Sequence, residues 1–230
     1  MNTDANIMIT NTMITNTRIT NTGITNTELT VFLIRHGKTR DNEEHRYSGR
    51  GSDPALSAEG RRELMDYKRA GVYSAIEGRT GSARIYTTGM MRTEETLAIL
   101  AGADARHEIC PELCEIDFGA FEGKTYEMLR GTPAYQDWIR GDNERNRCPG
   151  GESGLQMQER VLRAYGDILA DAGRCSEETV LIVTHAGPIA AIMGNGFTHL
   201  SRNRYEWQPA CGRGYRISYR EGRPVSFESI

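Results

Sequence analysis

Thr179-Val180-Leu181-Ile182-Val183-Thr184-His185-Ala186-Gly187-Pro188 decides the fold. Its first six residues, rich in β-branched side chains, read as a strand. The apolar run does not alternate, which suits a strand buried on both faces. Pro188 then fits the first turn of a following helix, where its missing N–H costs nothing. A second stretch is built the same way: Leu29-Thr30-Val31-Phe32-Leu33-Ile34 runs into Arg35-His36-Gly37. Two such strands predict an α/β fold, a three-layer α/β/α arrangement with a mostly parallel central sheet. In sheets of this kind ligands sit at the carboxyl ends of the strands.

The remaining elements fill in around these two. Arg84-Ile85-Tyr86-Thr87 reads as a strand, and 107–110 as a short one. Ser57 caps a helix reaching about Ala70. Leu97, Ile99 and Leu100 give 94–100 a helical pattern. Ser153-Gly154-Leu155-Gln156 is a capping box. The helix it opens runs to about Ala172, with Val161, Leu162, Tyr165, Ile168 and Leu169 at helical spacing. Residues 111–152 are loop-like, with helical segments near 126–130 and 134–140. The stretches 215–219 and 224–227 flank Glu221-Gly222 as a hairpin.

The chain has 230 residues, enough for one large domain or one domain plus a tail. A net charge of -3 argues against a broad basic surface for nucleic acid but leaves room for a local cationic pocket. No apolar run approaches the roughly 18 residues of a membrane span. The N-terminus lacks the basic stretch and apolar core of a secretory signal. Cys110, Cys114, Cys148, Cys175 and Cys211 are odd in number and contain no C-x-x-C, which disfavours a disulfide framework and a zinc site. A reduced, cytoplasmic protein is expected.

The front of the chain repeats a pentapeptide ending in Ile-Thr-Asn-Thr, with isoleucines at Ile9, Ile14, Ile19 and Ile24. A step of five turns a helix by about 140° net and swaps strand faces, so neither structure gathers an apolar face. Residues 1–28 are read as a low-complexity, disordered tail and 29–230 as the functional domain. The competing reading is an adhesive β-edge, since Ile and Thr favour strands.

Two of the five histidines, His36 and His185, occupy equivalent strand ends. Arg35 stands beside the first, and arginine grips phosphate with a two-pronged, permanently charged fork. A helix N-terminus follows the second and attracts anions. Together they read as a phosphate pocket.

At this level the chain resembles the histidine phosphatase (phosphoglycerate mutase-like) superfamily. Arg35-His36-Gly37-Lys38-Thr39 followed by Asn42 is similar to its R-H-G-x-T/S-x-x-N signature. The similarity continues through Arg46-Tyr47-Ser48-Gly49, Asp53-Pro54-Ala55-Leu56-Ser57 and the stretch 85–96 containing Arg92-Thr93. Glu115-Ile116-Asp117-Phe118-Gly119, Pro149-Gly150-Gly151-Glu152-Ser153 and Val183-Thr184-His185 complete it, in the family's order, over about residues 29 to 190.

The resemblance implies a phosphoglycerate mutase-like fold and specific roles. His36 would attack phosphorus and become phosphohistidine, with its other nitrogen fixed by a backbone hydrogen bond. Arg35, Arg92 and His185 would hold the phosphoryl oxygens. Glu115 would protonate the leaving oxygen and then activate water. Asn42, Thr39, Ser48, Gly49 and Ala186 would line the substrate side. Plainer readings compete: Arg92 as an exposed first-turn residue, Asn42 as a turn residue, and Glu112, Asp117 or Glu122 in place of Glu115. His45, His107 and His199 match no block and read as surface or packing residues.

Three positions depart from the family pattern. Ala186 stands where glycine is usual after the second histidine, Phe121 where tryptophan is common, and Thr88 where serine is common. The family's mutases carry a longer insertion after the Glu115 block, so the short stretch 120–148 resembles the phosphatase branch, including small bacterial α-ribazole phosphatases and broad-specificity members. The implied activity is that of a histidine acid phosphatase-type phosphomonoesterase, without metal or cofactor. Mutase-type phosphoryl transfer and a non-catalytic phosphate-binding module are the alternatives. The expected partner is a small phosphorylated metabolite, not nucleic acid or membrane, with a homodimer left open.

Overall fold

The computed structural model describes residues 28–141, 144–175 and 178–230; the pentapeptide repeat, and both readings of it, lie outside them. Among the described residues six strands form one sheet: β1 Leu29–Arg35, β2 Arg84–Thr87, β3 Glu108–Ile109, β4 Thr179–Thr184, β5 Gly214–Arg220 and β6 Arg223–Ser229. Their order is β3-β2-β4-β1-β5-β6. The pairs β1–β4, β2–β4 and β2–β3 are parallel, and the β5–β6 hairpin adds two antiparallel pairings at one side. The sheet is therefore mostly parallel and mixed at the hairpin.

Among the described residues eight α-helices accompany it: α1 Arg40–Glu43, α2 Ala58–Arg69, α3 Ser74–Glu77, α4 Met91–Ala101, α5 Tyr126–Leu129, α6 Pro133–Ile139, α7 Gly154–Arg174 and α8 Ala186–Gly196. Strand alternation splits the core in two. Leu29, Val31 and Leu33 of β1 and Val180 and Ile182 of β4 face α7 and α8, meeting Val161, Ile168, Ile189 and Met193. Phe32 and Ile34 with Leu181 and Val183 face the other way, onto Leu64 of α2, Ile76 of α3 and Leu97 and Leu100 of α4. Each such side chain taken fully from water contributes roughly 1.5–3 kcal/mol, so the two central strands anchor both layers. A smaller aromatic cluster of Phe121, Tyr135 and Trp138 lies under the 111–152 excursion.

The caps expected from the sequence are present. Ser57 accepts from Gly60 N–H, and Ser153 and Gln156 form the reciprocal box that starts α7. The short helices α1 and α3 are additions to the sequence reading, and α4 begins at Met91, earlier than the apolar spacing suggests. One-turn helices carry too few apolar positions to show a period.

The sheet order positions the site. In β1–β4 pairing Arg35 lies opposite Thr184, so the residues that follow, His36 and His185, leave adjacent strands side by side. His36 N–H also donates to Thr184 O at 2.9 Å. β2 flanks β4 on its other side, which brings Thr88 and the start of α4 into the same row.

Candidate active site

His36 and His185 meet edge to face, with ring centroids 5.1 Å apart. Both are buried. His36 Nδ1–H donates to Gly37 O at 2.7 Å, as expected for an imidazole anchored to backbone. That fixes the tautomer and leaves the Nε2 lone pair uncommitted among the described residues. Burial, then the nearby Arg92 and Arg35 guanidinium groups, hold His36 well below its ordinary value of 6.5. His185 is lowered for the same reasons, burial first, then Arg92 and His36 itself. Both rings are therefore neutral near pH 7.

The second histidine sits in a complete relay. Arg92 Nε donates to His185 Nδ1 at 3.3 Å, so the His185 proton is on Nε2 and goes to Thr88 Oγ1 at 3.1 Å. Thr93 Oγ1 donates to Met90 O, so the Thr88 hydroxyl donates to Thr93 Oγ1. Thr88 is visible in the sequence only as a departure from serine; here its hydroxyl oxygen accepts a hydrogen bond from His185 Nε2–H.

Arg92 is fully buried, which removes the exposed-residue reading. Its two Nη groups donate to Ser52 O and Gly49 O, each at 2.8 Å. The 48–52 loop is held from its other side by Glu122. That carboxylate accepts from Gly49 N–H, Ser52 Oγ, Phe118 N–H and Gly51 N–H at 2.8–3.2 Å. Glu122 thus organises the loop and does not compete with Glu115 for the cleft.

Arg35 Nη1 donates to Pro209 O at 2.8 Å, while its Nε is buried with no protein partner. Such an orphaned donor costs about 1–3 kcal/mol until an acceptor arrives. Glu115 also lines the cleft, its carboxylate accepting from Ile116 N–H and Gly187 N–H, both at 3.0 Å. At the start of α8 the Gly187 N–H is taken by the Glu115 carboxylate. A Cβ on Gly187 would lie 2.1 Å from Glu115 Oε1, so a larger residue there would push the carboxylate aside. Ala186, the departure from the family's glycine, lines the cleft without crossing it.

The other site residues divide into two groups. Asn42 and Ser48 line the cleft. Asn42 also has the local role of the plainer reading, as the third residue of the α1 capping box: its Oδ1 accepts from Thr39 N–H and Thr39 Oγ1, leaving its side-chain NH2 as the donor for a ligand. Thr39 is buried with its hydroxyl spent on this cap, so it supports Asn42 and does not line the cleft. Gly49 is buried as the turn that Arg92 and Glu122 grip. Among the remaining histidines, His107 pairs with Glu94 at 2.9 Å and His199 packs on Phe197.

The cleft has a volume of about 660 Å³. Arg35, Tyr47, Glu115, Trp138, Arg202 and Trp207 are among the residues that line it. Among the described residues no cluster of His, Cys, Asp and Glu is arranged to hold a metal ion, and no helix is long and apolar enough to cross a membrane.

The buried histidines make stability depend on pH. In the unfolded chain they titrate near 6.5; in the folded chain their values are lower. Below about pH 6.5 the unfolded state binds more protons, so their contribution is complete above that pH and is lost as pH falls toward the folded values. Each adds up to about 1.4 kcal/mol per pH unit. Urea unfolding between about pH 7.5 and pH 5.5 should show this slope, and the His36→Gln/His185→Gln variant should flatten it. An identical slope in the variant would assign the effect to other groups.

Comparison with known proteins agrees with this arrangement. The profile of the Histidine phosphatase superfamily (branch 1) matches residues 31–226. The "Bifunctional protein Rv2228c" of Mycobacterium tuberculosis is 33% identical over 166 residues, covering 71% of this chain and 43% of that protein. The "Probable phosphoglycerate mutase GpmB" of Escherichia fergusonii is 32% identical over 148 residues, covering 61% of this chain and 63% of that protein. The chain thus spans less than two thirds of the length of these relatives. An Escherichia coli structure provisionally described as an alpha-ribazole-5'-P phosphatase superposes with a TM-score of 0.72 at 19% identity, over 88% of this chain and 95% of that one, and shares the fold. With the profile match running from β1 into β6, the chain belongs to the histidine phosphatase superfamily, branch 1.

Proposed function

We propose that the chain is a phosphomonoester hydrolase that works through a phosphohistidine on His36 and takes a small phosphorylated metabolite. One observation carries the reading: a neutral, backbone-anchored imidazole with a free Nε2 stands beside an arginine whose buried Nε lacks an acceptor. In the first step Nε2 bonds to phosphorus and the ester oxygen leaves with a proton from Glu115. In the second, Glu115 takes a proton from water, whose oxygen displaces His36 and releases phosphate. Arg35, Arg92 and the donors of Asn42 meet the charge on the transferring group. His185 reaches a phosphoryl oxygen by sharing the proton it gives Thr88. The cleft volume is in the range of small-molecule sites. Free thiols, with Cys114 and Cys148 buried, fit a reducing, cytoplasmic setting.

A screen of phosphorylated metabolites, including α-ribazole phosphate and 3-phosphoglycerate, tests the reading. It is run with EDTA present, since no step uses a metal. Free phosphate supports hydrolysis; conversion of 3-phosphoglycerate to its isomer without phosphate release supports a mutase; no turnover supports a binding module. Within a hydrolase, Glu115→Gln should lower kcat/KM for an alkyl phosphate about 10- to 100-fold more than for p-nitrophenyl phosphate, whose leaving group needs no proton. Equal losses would remove the acid role of Glu115.

A further inference from the structure

The motif Pro149-Gly150-Gly151-Glu152-Ser153 matched the family pattern without acquiring a role. Ser153 caps α7, but Glu152 points elsewhere: it forms a two-pronged ion pair with Arg160, two turns along the same helix, at 2.7 and 2.8 Å. Arg160 is only 9% exposed. Its other N–H groups go to the carbonyl oxygens of Glu112 at 2.7 Å, Cys114 at 2.8 Å and Glu115 at 2.9 Å. All five donors of the guanidinium are thereby used.

Glu152 grips the far side of the same segment, since its Oε2 also accepts from Asp117 N–H at 3.0 Å. Its backbone N–H donates to Asp117 O at 2.8 Å. This approach requires Gly151, where a Cβ would lie 2.2 Å from Asp117 O. Thr184 Oγ1 fixes Leu113 O at 2.6 Å from the end of β4. The backbone on both sides of Glu115 is thus clamped, and the clamp converges on one pair.

We propose that Arg160, held by Glu152, is a positioning residue for Glu115: it sets where the carboxyl meets the leaving oxygen by gripping the backbone that carries it. The proposal rests on the acid–base reading of Glu115. A stabilising role alone explains the pair poorly. Buried ion pairs are often no better for stability than apolar residues of the same size, whereas a fully bonded guanidinium fixes geometry in a way apolar packing does not. Burial pushes the Glu152 carboxyl up, but donation from Arg160 and Asp117 N–H outweighs it and leaves it below the ordinary carboxylate value. The pair is therefore charged near neutral pH.

The test is the ratio of kcat/KM for an alkyl phosphate to that for p-nitrophenyl phosphate, measured on the same preparation so that any loss of folded protein cancels. Arg160→Lys keeps the charge but cannot span three carbonyls and a carboxylate. Glu152→Gln keeps the shape and weakens the hold on Arg160. The ratio should fall about 10- to 100-fold in Arg160→Lys, the loss that an ångström of misplacement brings, and in the same direction in Glu152→Gln. Adding Arg160→Lys to Glu115→Gln should lower the ratio no further. A native ratio in both single variants would overturn the proposal. If Glu115→Gln itself keeps the native ratio while phosphate is still released, the acid role has failed and the proposal falls with it. If no phosphate is released by the unmodified protein, the hydrolase reading has failed first.

Discussion

His36→Asn is expected to lower phosphomonoester hydrolysis by at least about 10³-fold, within the range seen when an enzyme nucleophile is removed. Asparagine is close in size to imidazole and can still place a donor near Gly37 O, so the two core clusters on either side of β1 are left intact. What disappears is the nitrogen lone pair that bonds to phosphorus. Nothing nearby replaces it. His185 is 5.1 Å away between ring centres, but its Nδ1 lone pair accepts from Arg92 and its Nε2–H donates to Thr88 Oγ1. The two buried histidines are therefore not interchangeable, although sequence position alone makes them look equivalent. The assay is phosphate release from the best substrate of the screen, with circular dichroism to confirm folding. Retention of more than a few per cent of native activity by folded His36→Asn would remove His36 from the nucleophile's role.

Arg92→Lys should be the second most damaging change, lowering kcat/KM by about 10²–10³-fold, the usual cost of losing one preorganised charge-stabilising donor. The charge survives the substitution, so a loss of this size would show that geometry matters. The guanidinium reaches Gly49 O, Ser52 O and His185 Nδ1 at once from a fully buried position. A lysine ammonium cannot reach all three, and each buried acceptor left without a donor costs about 1–3 kcal/mol. A lower melting temperature should accompany the kinetic loss. Loosening of the loop around Ser48 should raise KM while the misaligned charge lowers kcat. Kinetics within about tenfold of native would mean that Arg92 acts as a simple point charge.

Much of this architecture is legible in the residues. Thr179–Thr184 reads as a strand because an unbroken apolar run bounded by polar residues has few other uses, and its bounds agree with the structure. The capping residues Ser57 and Ser153 are legible because their partners lie three residues away. The pairing of His36 with His185 follows once the two strands are taken as neighbours in a parallel sheet. Elements of one turn, such as α1, show no periodicity to read. Contacts fixed by long-range approach are equally silent. Nothing local to Glu152 announces that its carboxylate serves Arg160 and Asp117, and nothing local to Thr88 announces His185. What the α8 N-terminus holds is silent for a related reason. A helix end predicts that an anion will be attracted, but only the fold decides that Glu115 supplies it.

The central claim is a covalent bond between His36 and phosphorus. The most direct measurement is to stop the protein during turnover under alkaline denaturing conditions, which preserve phosphohistidine, then digest it and locate the phosphoryl group by mass spectrometry. The account predicts one phosphoryl group on His36, and none on any histidine in His36→Asn. Phosphate release with no modified residue in the trapped protein, or with the phosphoryl group on a residue other than His36, would contradict it.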